Sequence, residues 1–315
     1  MEILKMSDTC ILCKSDRLKT VQKIKASDIN DLYVRDLDVD VLLEFKGNKE
    51  IEYKECSNCH LHFFSPVLTG SPKFYESLLK PEEFYYKDDR YEFFLAKKHI
   101  NKTDKVLEIG SGSGHFSQII NVDDYTGLEY NDKAIADAKE KGIQLIKKPI
   151  EDFAIEHENE FDVVCSFQVL EHVENPHDYI ESSLKVLKKG GLIIFGVPSA
   201  DSILTDNINH TLNFPPHHIT RWYNKTFQGF ENIFNVELVS VNNEPVSDRL
   251  KKSYTLNLLT NRVYKIFSSK GIIMSNTSRF RFVKKLVKKM INVFGIRLNT
   301  KNKKGEAVIV VLRKK

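Results

Sequence analysis

A chain of 315 residues can bury a sizeable core and has room for one main domain plus something smaller. No window approaches the roughly 20 apolar residues of a membrane span, and an N-terminus holding Glu2, Lys5, Asp8 and Cys10 lacks the apolar core of a secretory signal, so a cytoplasmic protein is expected. The net charge of +4 is mild only as an average, because the basic residues crowd toward one end.

At the N-terminal end stand two Cys-x-x-Cys steps, Cys10 with Cys13 and Cys56 with Cys59. In a reducing compartment such pairs point to a metal site more than to disulfides, and four thiolates close a tetrahedral zinc site. A zinc-ribbon-like module over residues 1–70 follows, with the metal replacing a core that so short a segment cannot build. The insert between the pairs is long, 42 residues, and must carry structure of its own. Val21 to Ile24, Val41 to Phe45 and Ile51 to Tyr53 read as its strands. His60 and His62 follow the second pair and are alternative ligands to a thiolate. No position is left open for a substrate, so the expected role of the metal is structural. Cys165, alone in an apolar run, reads as core.

Residues 71–103, rich in Tyr, Phe and charge, form a helical linker. The run "VLEIGSGSGHFSQII" then takes a strand, Val106 to Ile109, into Gly110, Gly112 and Gly114 and out into a helix near His115. Glycines there admit positive φ and close approach of a ligand to the backbone, at a helix N-terminus. The third glycine arrives one residue earlier than in the dinucleotide fingerprint, which argues against nicotinamide cofactors. A second strand ends at Leu128 and presents Glu129, an acid placed to meet ribose hydroxyls. Further strands at Ile143 to Ile146, Phe161 to Phe167, Leu192 to Val197 and Val236 to Val241 alternate with helices, and "GEAVIVVLRKK" closes the series as an antiparallel partner. The expected fold is α/β, a doubly wound, seven-stranded Rossmann-like sheet over 104–315 with the small zinc ribbon in front.

The ordered motifs "VLEIGSGSGHFS", "GLEYN", "FDVVCSFQVLEHVENP" and "LKKGGLIIFGVPS" resemble those of class I S-adenosylmethionine-dependent methyltransferases. "LEHV" after the fourth strand is similar to ubiquinone-pathway O-methyltransferases and to sugar methyltransferases. A cysteine-paired zinc module also occurs among sugar C-methyltransferases, which usually carry a further large C-terminal domain. No such domain is seen here, and a hydroxyl is the expected acceptor. The resemblance implies S-adenosylmethionine as cofactor. Glu108 and the Gly110, Gly112 and Gly114 backbone would face its methionine end, and Glu129 its ribose. Ile150 and Glu151 would border the adenine, and Gln168 would cap the site near the sulfonium. An acid beside the glycine turn suits a cofactor that carries an ammonium and no phosphate.

The sulfonium already activates the methyl group, so what remains is to align an acceptor, exclude water and remove a proton. His172, past Gln168 at the mouth of the fourth strand, is the expected base, with Glu171 to orient it. His217 and His218, in the proline-interrupted "NHTLNFPPHHITRWYNKTF", can share that role. Arg221 is expected to bind a phosphate or carboxylate on the acceptor, Trp222 to lie in the core, and Tyr85 or Tyr86 to cover the cofactor.

A basic helical insertion occupies 244–304. From Arg249 to Lys304 there are 16 Lys or Arg and no Asp or Glu. Within it Val283, Leu286, Val287, Met290 and Phe294 share one helical face and Lys284, Lys285, Lys288 and Lys289 the other, a pattern suited to an anionic membrane surface through 279–294. The resemblance to sugar methyltransferases implies a sugar, nucleotide-linked sugar or polysaccharide precursor as acceptor, membrane contact would make a lipid-linked saccharide attractive, and a lipid or quinone ring hydroxyl is the alternative. RNA gripped by the ribbon and the basic tract is a rival, but the S-F-Q-V after the fourth strand is not the Asn/Asp-Pro-Pro-aromatic phrase of many base methyltransferases.

Overall fold

The computed structural model describes residues 6–78, 90–202, 207–266, 268 and 272–315, the side chains of 248, 249 and 252 excepted. The N-terminal segment holds strands β1 (Leu18–Lys25), β2 (Glu50–Cys56) and β3 (His62–Ser65) and helix α1 (Ala26–Leu37). Ile29, Leu32 and Tyr33 place the buried stripe of α1 at helical spacing, which sequence reading of the insert had not resolved. The expected strand at Val41 to Phe45 is a 3-10 turn over Leu42–Phe45 instead. Two side chains break the ladder there: the Val41 amide donates to Asn30 Oδ1 (2.7 Å) and the Leu42 amide to Asp40 Oδ1 (2.9 Å).

Helices α2 (Pro72–Leu78) and α3 (Tyr91–Lys97) lie in the linker; Tyr85 and Tyr86 fall outside the described residues. The large sheet is built from β4 (Lys105–Ile109), β5 (Asp124–Leu128), β6 (Leu145–Ile146), β7 (Phe161–Phe167), β8 (Leu187–Pro198), β10 (Val236–Pro245) and β11 (Lys304–Lys314). Its seven strands run in the order β10-β11-β8-β7-β4-β5-β6, parallel except at β11, which is antiparallel to both β10 and β8. Helices α4 (His115–Ile120), α5 (Asp132–Glu140), α6 (Ile150–Glu156) and α7 (Pro176–Val186) connect the parallel strands. Central β4 and β7 are almost wholly buried, as parallel strands covered on both faces must be. Because β4 has β5 on one side and β7 on the other, the strand order reverses beside the glycine turn, where this architecture opens a cleft.

The N-terminal module is not a separate bead. A two-residue strand β9 (Thr220–Arg221), from the histidine-rich loop, pairs antiparallel with β3 and completes a sheet of order β1-β2-β3-β9. Cys10, Cys56, Leu61 and Phe63 belong to the same buried cluster as Phe195 and Trp222 of the main domain. Helix α8 (Asn224–Gln228) follows β9, and Trp222 stacks on Phe227 with its indole N–H donating to Thr220 Oγ1, as expected of a core residue. The insertion folds as α9 (Asp248–Lys265) and α10 (Ser278–Phe294), and Gln22 of β1 accepts from the Ile273 amide and donates to the Met274 carbonyl between them.

Candidate active site and cysteine cluster

The four cysteines meet in pairs, Cys10 with Cys59 and Cys13 with Cys56, each at 3.6 Å between sulfurs. All four sulfurs lie within 4.8 Å of one another. Sulfurs about 2.3 Å from one tetrahedral zinc would stand roughly 3.8 Å apart, so the donor set fits that ion closely. Each knuckle closes the same way: Lys14 and His60, one residue past the second cysteine, adopt positive φ of 58° and 60° and donate their amides to the carbonyls of Cys10 and Cys56. The His62 ring packs on Tyr53 and Tyr223 and stands outside the cluster.

In the main domain, the glycine turn has the conformation its sequence demands. Gly110, Gly112 and Gly114 have φ of 75°, 53° and 74°. A Cβ on Gly110 would stand 2.3 Å from Val169 Cγ2, so the turn is pressed against the loop after β7. Gly114 caps α4 and packs on Ile143, so of the glycines it serves packing rather than the cleft wall. Glu129 Oε2 accepts the Gly112 amide (2.7 Å), and Oε1 accepts the amides of Tyr130 (2.7 Å) and Asn131 (2.9 Å). The end of β5 thus holds this carboxylate rigidly at the rim of the turn.

Glu108, 2% exposed, accepts a hydrogen bond from the Tyr125 hydroxyl (2.5 Å), and burial pushes its carboxyl up to about 8. Gln168 sits at φ 57° and its amide donates to Glu92 Oε1 (2.8 Å). Glu92, buried on α3, is a participant that sequence reading missed; only the periodicity of the linker helix hinted that one of its acids faces inward. Ile150 is buried at the start of α6, and Glu151 beside it is exposed.

The acceptor side is a cluster of three histidines and one acid. Glu171 and His172 stand in the turn Leu170–His172 after β7, and His217 and His218 in the proline-interrupted loop. The loop is anchored there by the Ile219 amide donating to the Glu171 carbonyl (3.0 Å). His172 Nδ1 lies 2.6 Å from the His217 carbonyl, His217 Nδ1 3.0 Å from the Leu212 carbonyl, and His218 Nδ1 3.1 Å from Asn213 Oδ1. These oxygens can only accept, so the proton of each ring sits on Nδ1 and Nε2 is the basic atom. Burial depresses all three histidines, His172 to about 4, so each is an uncharged base at neutral pH. Glu171, 1% exposed, is raised to about 8 by burial, and neither of its side-chain oxygens has a hydrogen-bond partner among the described residues. Tyr75 of α2 brings its hydroxyl to 3.4 Å from His172 Nδ1, a second neighbour that sequence reading had not singled out.

Arg221 is placed elsewhere than expected. Its guanidinium lies over the rings of Tyr53, Phe64 and Phe214 at 5.1, 5.8 and 5.6 Å and donates to the Asn213 carbonyl (2.9 Å). Because β9 joins β3, this side chain is drawn into the junction with the module, where cation–π contact holds it away from the main cleft.

One continuous cleft of about 1380 Å³ joins the two halves of the site. Glu108, Gly110, Glu129 and Gln168 line one part, and Glu171 and the three histidines the other. Pockets for a single ligand usually measure about 300–1,000 Å³, so this one has room for a cofactor and a second molecule. The model of the family described as "Methyltransferase domain" matches residues 80–268. The chain belongs to that family. The cysteine cluster, α10 and β11 lie outside the matched residues.

Two curated relatives match part of the chain. The chain is 36% identical to an uncharacterized protein, MJ1123, of Methanocaldococcus jannaschii over 130 residues, 41% of this chain and 60% of the relative. It is 33% identical to the ubiquinone biosynthesis O-methyltransferase of Shewanella pealeana over 102 residues, 29% of this chain and 42% of that one. It therefore spans less than two thirds of the length of either relative. Among solved structures, a SAM-dependent methyltransferase of Thermotoga maritima, described as a possible histamine N-methyltransferase, aligns with a TM-score of 0.46 and 15% identity over 71% of this chain and 88% of that one.

Proposed function

We propose that the protein transfers a methyl group from S-adenosylmethionine to a hydroxyl of a saccharide, free, nucleotide-linked or lipid-linked, and that its cysteine cluster holds a structural zinc. The observation that carries this reading is the single cleft that runs from an acid-rimmed glycine turn to a wall of neutral bases. The residues fit the cofactor: the buried Glu108 carboxyl suits an ammonium and Glu129 a pair of ribose hydroxyls. When bound, S-adenosylmethionine supplies an already activated methyl group. The protein then has to place the acceptor oxygen and take its proton. His172, half-buried with Nδ1 locked, offers Nε2 for that proton. Asp36, Asp38 and Asn213 line the far wall and offer hydrogen bonds to a polyhydroxylated acceptor.

A quinone-type ring hydroxyl is the second reading, favoured by the ubiquinone biosynthesis O-methyltransferases among the relatives. We also read α10 as the contact with an anionic membrane surface, which would bring a lipid-linked acceptor to the cleft. Among the described residues no helix is long and apolar enough to cross a membrane.

Calorimetric titration with S-adenosylmethionine, its demethylated product and NAD tests the donor. The first two should bind, the third should not, and Glu129→Ala should weaken binding about tenfold or more, since charge-assisted hydrogen bonds contribute roughly 1.5–3 kcal/mol. Labelled methyl uptake by nucleotide sugars, lipid-linked saccharides and dihydroxylated aromatic rings then separates the two acceptor classes. Folded protein that binds neither form of the cofactor would refute the reading.

A further inference from the structure

The carboxyl of Glu171 raises a question that methyl transfer alone does not answer. It is 1% exposed, and neither oxygen has a hydrogen-bond partner among the described residues. A buried acid normally finds a donor, and one that does not is often waiting for a water or an ion. A protonated Glu171 could donate to a histidine nitrogen at about 2.7–3.0 Å. Instead, Oε1 stands 3.7 Å from His172 Nε2 and 3.9 Å from His218 Nε2, too far for that bond. His172, His217 and His218 each offer one ligand atom, all within 4.8 Å of one another.

We propose that Glu171, His172, His217 and His218 form a second metal site, on the acceptor side of the cleft, that takes one divalent transition cation such as zinc, cobalt or nickel. Ligands about 2.0–2.1 Å from a tetrahedral ion are roughly 3.3 Å apart, so the two Glu171 to histidine separations exceed the requirement by about half an ångström. Holding the ion therefore requires side-chain rotation that draws in these groups together with the histidine atoms, which lie within 4.8 Å of one another. The anchoring of every Nδ1 on an oxygen acceptor is the arrangement that metal-binding histidines need, because it fixes the tautomer and aims Nε2 at the ion. Three imidazoles and one carboxylate select a borderline transition metal over magnesium or calcium, which prefer oxygen donors.

Only the role of the ion rests on the methyl-transfer reading. With four protein ligands in place, an acceptor hydroxyl would have to join the ion as a fifth ligand; it would lose its proton to water, and the methyl group would pass from the sulfonium sulfur, which keeps the electron pair of the broken C–S bond, to that oxygen. Histidine would then serve as ligand rather than as base.

The test uses the full chain carrying one zinc at its cysteines, titrated with Co²⁺ by calorimetry and visible absorption. One further equivalent should bind, with no thiolate-to-cobalt charge-transfer band. Glu171→Gln should weaken it tenfold or more, and the His172→Ala/His218→Ala pair should abolish it, while both variants still bind S-adenosylmethionine and so are folded. No second equivalent, equal binding by the paired variant, or a band showing thiolate ligation would overturn the site. Cobalt bound by protein that does not bind S-adenosylmethionine would leave the site standing and sink the methyl-transfer reading; cofactor binding without a second equivalent would do the reverse.

Discussion

Glu108 shows how one residue couples the fold to the cofactor. Its folded pKa of about 8 lies far above the roughly 4.3 of a free glutamate, so stability from this group is greatest at low pH and falls as pH rises through about 8. At neutral pH the carboxyl is protonated, and an ammonium beside it would favour the anion. Binding of S-adenosylmethionine should therefore release a proton and tighten as pH approaches 8. Calorimetry in buffers of different ionisation enthalpy measures this. Glu108→Gln should remove the proton release and weaken binding about tenfold; unchanged proton release would assign the ammonium to another group. The acid was visible in the sequence because it precedes the glycine turn, but its protonation was not, since that depends on the burial that neighbouring strands impose.

Helix α10 illustrates what periodicity can and cannot show. The expected single apolar face is divided in the fold. Phe280, Val283, Val287 and Ile291 pack with Tyr264 and Ile208, whereas Phe282, Leu286, Met290 and Val293 stay 67%, 46%, 44% and 66% exposed. At about 100° per residue this second strip lies between the buried face and the row holding Lys285 and Lys289. The strip next to the lysines is the part that suits an anionic surface, where each basic residue contributes about 1 kcal/mol. The protein should sediment with phosphatidylglycerol vesicles, less so as salt rises, and not with neutral ones. Phe282→Ser/Met290→Ser should cut binding several-fold without changing the melting temperature, both side chains being exposed. Equal capture of that variant would exclude the strip. The 3-10 turn at Leu42–Phe45 teaches the same lesson at smaller scale: apolar residues alone read as strand, but Asn30 and Asp40 claim the amides a strand would need.

For the whole molecule, the decisive contact is β9 on β3. It ties the loop bearing His217 and His218 to the sheet that the cysteine cluster closes, and Tyr33 of α1 donates to the Phe214 carbonyl in the same loop (2.8 Å). Losing the zinc should thus disturb the acceptor side before the cofactor side. Cys56→Ser should abolish or sharply reduce methyl transfer and lower the melting temperature, while affinity for S-adenosylmethionine changes less than about threefold, because β4 and β5 lie outside that junction. Retained turnover in a zinc-free variant would show that the module is an independent attachment.

The sequence by itself determined the doubly wound order of elements, the glycine turn with Glu108 and Glu129 beside it, and the four cysteines, because each is a local pattern of spacing and residue type. Tertiary structure alone decided that Glu92 holds Gln168 and that Arg221 serves the module junction rather than the cleft. Those outcomes depend on which strand edge a two-residue segment joins and on which side chains are desolvated together. Neither is written in the spacing of neighbours along the chain.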